Sequence, residues 1–287
     1  MPDNILFYIV FLSQILLASF YFPKKVLGRV RIVMEQYPPS KYPKLYSKPI
    51  EYYEKGQRNY QKMNQIILVV GFMLMFAVGL WDYSSDGWIN QMIPFAYFMI
   101  QAIPLVLMEI NESTLFKLMR KADLRTTRKA ELHPRRLFDF ISPTIVGLAI
   151  FMNVACIWFY LYGDQYQFHW ESDAFVISIS LFAMNALFAG IIFRNLHGKK
   201  LDPHPASKDR MRQIGVTVKS LIFMSIGASV FIMMQAGINE FDLDYLEPSI
   251  MSLYLQFTMM IGLGSVLRKL RIENINFDVY REDASAT

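Results

Sequence analysis

Residues 174–193 read AFVISISLFAMNALFAGIIF, a run of twenty residues without one charged side chain. Asp173 precedes the run and Arg194 follows it, so the charges at its two ends have opposite sign. A helix of about 20 apolar residues is long enough to cross the hydrocarbon core of a bilayer. The run therefore predicts a transmembrane helix, and the flanking charges offer a means of orienting it.

Six other runs of the same kind occur in the chain. Only 18% of the 287 residues are charged, whereas soluble domains carry about 25%. The apolar residues also form long blocks instead of mixing with polar ones at a helical or strand period. We therefore predict an all-α fold, a polytopic helical membrane protein in which residues 1–287 form a single bundle of about seven transmembrane helices. The predicted spans are 5–22, 65–81, 92–108, 137–162, 174–193, 214–238 and 250–267.

The distribution of charge predicts the orientation. All 29 Lys and Arg residues fall on one predicted side, in segments 23–64, 109–136, 194–213 and 268–287 or, for Lys219, about one turn inside the sixth span. The other connections contain nine Asp and Glu residues and no Lys or Arg, in segments 82–91, 163–173 and 239–249. Basic residues are enriched in cytoplasmic loops, so we predict an outer N-terminus and an inner C-terminus. A miscount by one span would scramble this alternation.

The largest predicted cytoplasmic segment, 23–64, contains a Tyr- and Pro-rich loop between two amphipathic helices. Four prolines between residues 38 and 49 exclude a regular helix there. Residues 24–34 predict an interfacial helix or a continuation of the first span, and residues 51–64 predict a helix that leads into the second. The loop fits two interpretations: an ordered strap packed on the inner face, or an extended segment that is recognised by a partner.

The polar residues inside the spans are almost all neutral. Gln14, Gln101 and Asn185 are predicted near mid-depth, and Asn153 lies in the outer half. Such amides either hydrogen-bond between helices or line a polar substrate cavity open to the outside. No Asp, Glu, His or Arg is predicted at mid-membrane, which argues against a proton-coupled pump and against a voltage sensor.

Titratable side chains gather at the predicted cytoplasmic ends of the spans. Glu109 and Glu112 lie at the inner end of the third helix, just after the predicted span, Asp139 lies at the start of the fourth, and His197 follows the fifth. Carboxylates and imidazoles at one depth could act on a lipid headgroup as catalytic residues. Their spacing matches no established metal-binding motif, so we assign no metal and no cofactor. Pairing with the abundant Lys and Arg is the simpler interpretation.

No catalytic sequence motif is present, so the leading hypothesis is non-enzymatic. It is a small transporter, a lipid-interacting protein or a membrane-complex subunit with a basic cytoplasmic face. The alternatives are a membrane-embedded enzyme that acts on a lipid or isoprenoid headgroup, and a seven-helix sensor. The expected partners are the bilayer, anionic lipid headgroups, a cytoplasmic or membrane protein and a second copy of the chain. Nucleic acid is not expected, because the basic residues lie beside hydrophobic spans. Short loops and the single cysteine, Cys156, suit a bacterial inner membrane.

Overall fold

Seven long helices make up the part of the protein that the structure describes. A computed structural model describes residues 2–80, 88–122, 135–198, 202, 204 and 207–281. The structure is 86% helical, and the described residues contain no β-strand. Seven helices are long and apolar enough to cross a membrane, which confirms the predicted all-helical class and number of long apolar helices. The helical segments are α1 (Pro2–Leu16), α2 (Phe22–Gln36), α3 (Ile50–Leu80), α4 (Trp88–Ala122), α5 (Pro143–Gly163), α6 (Asp173–His197), α7 (Ser207–Glu240), α8 (Glu247–Met259) and α9 (Ser265–Lys269).

Two of the seven long helices each contain a π turn. Leu17–Tyr21 connects α1 to α2, and Met260–Gly264 connects α8 to α9. The residues after the first predicted span are thus a continuation of its helix and not a separate interfacial one. A π turn places one extra residue in the helical turn and changes the face that the following residues present.

The two π turns pack close to each other. Phe22, which follows the first turn, lies against Gly264 at the end of the second, where an added Cβ would be 3.5 Å from the ring. Phe22 belongs to a buried cluster with Ala18 and Met259. The irregular parts of the two helices therefore form one contact region.

The helices form two groups. The continuous helix α1–α2 packs with α3, α4 and α8 in a four-helix group, while α5, α6 and α7 pack together in a three-helix group. Packing of α7 against α8 and the π turn after it joins the groups.

Local sequence explains where α5 begins. It starts at Pro143 rather than at Leu137, where the fourth predicted span begins, and Leu137–Asp139 forms a separate 3-10 turn. Ser142 is the N-cap, and its hydroxyl accepts the N–H of Thr144 at 3.2 Å. Proline is favoured in the first helical turn, because its missing N–H would have no intrahelical partner there.

A buried aromatic cluster between α1, α3 and α4 depends on one glycine in α3. The Tyr97 ring of α4 packs directly over Gly71, where an added Cβ would overlap the hydroxyl group. That hydroxyl donates to the Ile67 carbonyl oxygen at 2.8 Å. Phe7 and Phe11 of α1 complete the core beside Tyr97. Gly71 therefore permits a close crossing of α3 and α4.

The Tyr- and Pro-rich segment contains no α-helix. It contains a hydrogen-bonded turn that begins at Pro38 and a 3-10 turn at Pro43–Leu45. The segment packs against the chain that follows α9, which contains the 3-10 turns Ile272–Asn274 and Phe277–Tyr280.

Candidate functional site

Buried polar side chains meet where α1, α4 and α8 cross. The Gln14 amide donates to Gln101 Oε1 at 3.2 Å and to the Pro94 carbonyl oxygen at 3.1 Å. Gln14 Oε1 accepts the hydroxyl of Ser252 at 2.6 Å. Gln14, Gln101 and Ser252 are at most 2% exposed. These bonds fix the relative heights of the three helices.

The same network includes the first π turn. The Gln101 amide donates to Ser19 Oγ at 2.8 Å and to the backbone oxygen of Gln14 at 3.4 Å. The hydroxyls of Ser19 and Tyr97 lie 3.3 Å apart. A π turn disturbs the regular backbone hydrogen bonds of a helix, and Gln101 supplies an additional donor beside the altered turn.

A neighbouring side chain also bonds to the second π turn. The hydroxyl of Ser220, on α7, donates to the Ile261 carbonyl oxygen at 2.9 Å. Both π turns are therefore stabilised by polar side chains from other helices. The Ser220 bond in addition links the three-helix group to the four-helix group.

A second polar cluster lies within the three-helix group. Asn185 donates to Asn153 Oδ1 at 2.7 Å, Asn153 donates to Ser225 Oγ at 3.1 Å, and Ser225 donates to Asn185 Oδ1 at 2.6 Å. The three side chains thus form a closed ring of hydrogen bonds. Each asparagine also bonds to a carbonyl of its own helix, those of Ala149 and Leu181.

The four amides considered for a substrate cavity therefore divide into two separate pairs. Gln14 bonds to Gln101 in one group, and Asn153 bonds to Asn185 in the other. The sequence does not identify the serines as partners of these amides, because a serine in an apolar helix gives no sign of which neighbouring side chain it faces. All four amides have protein partners, as expected for groups that hold helices together.

The four candidate catalytic residues do not come together in this way. Glu109 and Glu112 lie on α4 in the four-helix group, whereas Asp139 and His197 lie next to α5 and at the end of α6. All four are exposed. In the described part of the chain, no hydrogen bond or ion pair joins any two of them, and no metal-binding group of three or more His, Cys, Asp or Glu is found.

Two of these side chains, Asp139 and His197, contact residues that are close to them in the sequence. Asp139 Oδ2 accepts the N–H of Arg136 at 2.8 Å, which closes the 3-10 turn before α5. The His197 ring lies 4.5 Å from the ring of Phe193, one turn earlier on α6, with its Nδ1 3.3 Å from the Phe193 carbonyl oxygen.

A contact at the predicted inner face was not found from the sequence. The strap, residues 37–49, packs on the tail, residues 270–281, and we call this contact the strap–tail clasp. Tyr37 stacks on Phe277 with 3.9 Å between ring centroids, and Arg281 donates to the Tyr42 hydroxyl at 3.0 Å. Tyr42 and Tyr280 are both buried in the clasp.

The tail is also attached to the helical bundle. Asp209, at the start of α7, accepts the N–H of Asn276 at 3.0 Å. The Tyr280 hydroxyl donates to Asp202 Oδ2 at 2.5 Å. Burial raises the pKa of Tyr280, and the negative charge of Asp202 raises it further. Tyr280 therefore keeps its proton and acts as a donor at physiological pH.

No protein-family model, curated protein or solved structure matches this chain. The features of the chain that bear on function are the two buried polar clusters, the strap–tail clasp and the charges at the two ends of the bundle.

Gln101→Leu should lower the free energy of unfolding by about 1–3 kcal/mol, because it leaves buried partners of the amide unsatisfied. The double variant Gln14→Leu/Gln101→Leu should lower the free energy of unfolding by less than the sum of the two single variants, because each single change already removes the bond that the two amides share. Asn185 belongs to the separate cluster. The decreases in the free energy of unfolding caused by Asn185→Leu and Gln101→Leu should therefore add within about 0.5 kcal/mol in the double variant. Unfolding in mixed micelles, followed by circular dichroism, measures all three. Full additivity of the Gln14 and Gln101 changes would contradict a shared network.

Tyr280→Phe should loosen the clasp, because the ring remains while the bond to Asp202 is lost. Trypsin should then cut the reconstituted protein faster at Arg271 and Arg281 than in the parent chain. The contribution of Tyr280 to stability should be constant below about pH 10 and fall as pH rises above the ordinary tyrosine pKa and through the raised one. Tyr245→Phe, at the other end of the bundle, is the matched control and should leave tryptic cutting unchanged.

Proposed function

We propose that this chain is an integral protein of the bacterial inner membrane that crosses the bilayer seven times. Its N-terminus is periplasmic and its C-terminus is cytoplasmic. Within that membrane it acts without catalysis, as a lipid-interacting protein whose basic inner face holds anionic headgroups. The strap–tail clasp gives the same face an ordered surface for a cytoplasmic partner.

Exposed apolar side chains support insertion into lipid. Phe151 on α5 is 65% exposed and Phe182 on α6 is 78% exposed, although both lie in the middle of long helices. The 21 residues of α5 correspond to about 31 Å of helix, close to the ~30 Å hydrocarbon thickness of a bilayer. Water would disfavour so large an apolar surface, whereas lipid tails would not.

Aromatic side chains lie at both ends of the exposed surface. Trp158 and Tyr162 are exposed near the predicted outer end of α5, and Phe20 and Tyr21 are exposed at the first π turn. Aromatic residues concentrate at the two membrane interfaces, where their rings lie among the headgroups. These residues are consistent with a bilayer that spans the bundle between the two levels.

Two lysines at the predicted inner level carry the proposal of lipid binding. Lys24 Nζ lies 5.7 Å from the centroid of the Phe20 ring, and Lys25 Nζ lies 5.7 Å from that of Tyr21. Both lysines are exposed. An ammonium group beside a ring at headgroup level is well placed to contact lipid phosphate. Each such lysine contributes about 1 kcal/mol of attraction to an anionic leaflet.

The paired amides favour a non-enzymatic role. Amides that bond to one another across helices stabilise the bundle instead of presenting groups to a substrate. A headgroup enzyme would need Glu109, Asp139 and His197 around one reacting atom, and these exposed side chains belong to different elements. The geometry thus favours lipid interaction over lipid chemistry.

The proposed topology can be tested with single cysteines, because the native Cys156 is fully buried. Glu171→Cys, in the connection between α5 and α6, should react with a membrane-impermeant maleimide on spheroplasts of a bacterial host. Ser40→Cys, in the strap, should react only after the membranes are opened. The parent chain controls for reaction at Cys156. Labelling of Ser40→Cys in sealed spheroplasts would contradict the orientation.

The lipid proposal predicts that Lys24→Gln/Lys25→Gln binds phosphatidylglycerol about 10- to 30-fold more weakly, from about 1 kcal/mol for each lysine. Retention of phosphatidylglycerol by the purified protein, followed by native mass spectrometry, measures the loss. Lys55→Gln is the matched control, because Lys55 is exposed on α3 about ten residues before the second predicted span. That distance is about 15 Å along a helix, beyond the ~8 Å Debye length. An equal loss with Lys55→Gln would contradict a headgroup site at Lys24 and Lys25.

A further inference from the structure

A cleft of about 1030 Å³ opens between the ends of α5, α6 and α7 at the predicted outer side. Aromatic residues form part of its lining: Phe159, Tyr160, Tyr162 and Tyr166. Carboxylates form another part: Asp164, Asp173 and Glu240. Its volume is close to the upper limit, about 1000 Å³, of sites that hold small organic ligands.

The aromatic part of the lining is held in place by the end of α5. Tyr166 has a φ of 61°, and its N–H donates to the Leu161 carbonyl oxygen at 2.7 Å. This left-handed conformation turns the chain back, so that the Tyr166 ring packs edge-on against Trp158 at 5.8 Å and Tyr162 at 6.2 Å. Tyr160 is fixed by a bond from its hydroxyl to the Ile232 carbonyl oxygen at 3.2 Å. These contacts hold Tyr160 against α7 and Tyr166 against the end of α5.

The charged part of the lining has one sign. Asp164 is fixed by the N–H of Ala174, which its Oδ2 accepts at 2.8 Å, while Asp173 and Glu240 are exposed. The described lining contains no Lys, Arg or His. The connections 163–173 and 239–249 also contain no Lys or Arg. A cleft with one sign of charge attracts ligands of the opposite sign.

We propose that this cleft binds the ammonium group of an organic cation. Aromatic faces attract alkylammonium groups through cation–π interactions, and the carboxylates supply the opposite charge. A bare divalent ion would need several oxygen ligands converging on one point, and the described carboxylates form no such group. Rings combined with dispersed carboxylates fit a larger and more diffuse cation. The ammonium group could belong to a free amine or to an aminophospholipid headgroup of the outer leaflet.

This site is independent of the proposed inner lipid contacts. The cleft lies at the predicted outer ends of α5, α6 and α7, whereas Lys24 and Lys25 follow the first π turn at the predicted inner side. A failure of the cleft to bind cations would therefore not contradict lipid binding at Lys24 and Lys25, and the reverse is also true. The two tests use ligands of opposite charge.

The test is calorimetric titration of the full chain with choline. The protein is held in nanodiscs of phosphatidylglycerol at about 0.15 M salt, where the Debye length is about 8 Å, with empty discs as background. Saturable binding is expected. Glu240→Gln and Tyr166→Asn should each weaken it by about 3- to 10-fold, through loss of one charge or one ring. Asparagine tolerates the positive φ of position 166, so Tyr166→Asn removes the ring without new backbone strain.

Asp242→Asn is the matched control. Asp242 also has a positive φ, of 52°, and lies two residues from Glu240 outside the described lining. Its replacement makes the same change of charge on the same face and should weaken choline binding much less than Glu240→Gln does. Equal weakening by Asp242→Asn would overturn the proposal in favour of general surface charge. Failure of choline to bind saturably would also overturn it.

Two further titrations separate the sources of the ligand. In discs that also contain phosphatidylethanolamine, weaker choline binding identifies the lipid headgroup as an occupant of the cleft, and unchanged binding identifies a free amine. Mg²⁺ is the second probe. Tight Mg²⁺ binding that depends on Glu240 and not on Tyr166 would overturn the proposal, because it would identify a metal site instead.

Discussion

The hydrogen bond between Gln14 and Gln101 is the constraint on which the four-helix group depends. An amide that is removed from water without a partner costs several kcal/mol, so α1 and α4 are most stable where these two side chains meet. Ser252 then sets the height of α8, because its hydroxyl bonds to the remaining oxygen of Gln14. Three helices are placed in register by side chains that lie inside an otherwise apolar interior. Apolar side chains alone would specify the relative positions of these helices less strongly, because lipid tails are as apolar as leucine and provide no hydrophobic driving force for helix association.

The π turn after α1 extends this constraint towards the predicted inner face. Gln101 bonds to Ser19 within the turn, and the altered helix then continues through Phe22 to Gln36. Phe22 packs against Gly264 of the second π turn. The two irregular turns therefore set the direction in which α2 and α9 leave the bundle. Those helices lead to the strap and the tail, so the clasp lies at the end of a path that begins with the buried amides.

Much of the fold could be predicted from the sequence, because the number of long apolar helices is a local property. Hydropathy and the alternation of charge both act segment by segment, and each of the seven runs is long enough to be recognised alone. The continuation of the first helix past residue 22 was left open, since Lys24 and Lys25 suit an interfacial helix equally well. Only tertiary packing, in which Phe22 meets Gly264, resolves that choice.

The candidate sites are harder to predict, because the predicted depth of a residue in the membrane does not show on which face of its helix it lies or which helix is its neighbour. Glu109 and His197 were grouped by depth, but they lie in different helix groups. The amides Gln14 and Gln101 could be recognised as polar residues at mid-depth, whereas their serine partners could not. The clasp pairs Tyr42 with Arg281, 239 residues apart, and no local pattern encodes such a contact. The cleft likewise requires the ends of α5, α6 and α7 to come together.

Helix α7 joins these features physically. Asp209 at one end bonds to the tail, and Glu240 at the other end lines the cleft between α5, α6 and α7. Between them, Ser220 bonds to the second π turn and Ser225 closes the ring of asparagines. Movement of α7 along its axis would break bonds at each of these levels, so the helix holds the two groups at one relative height.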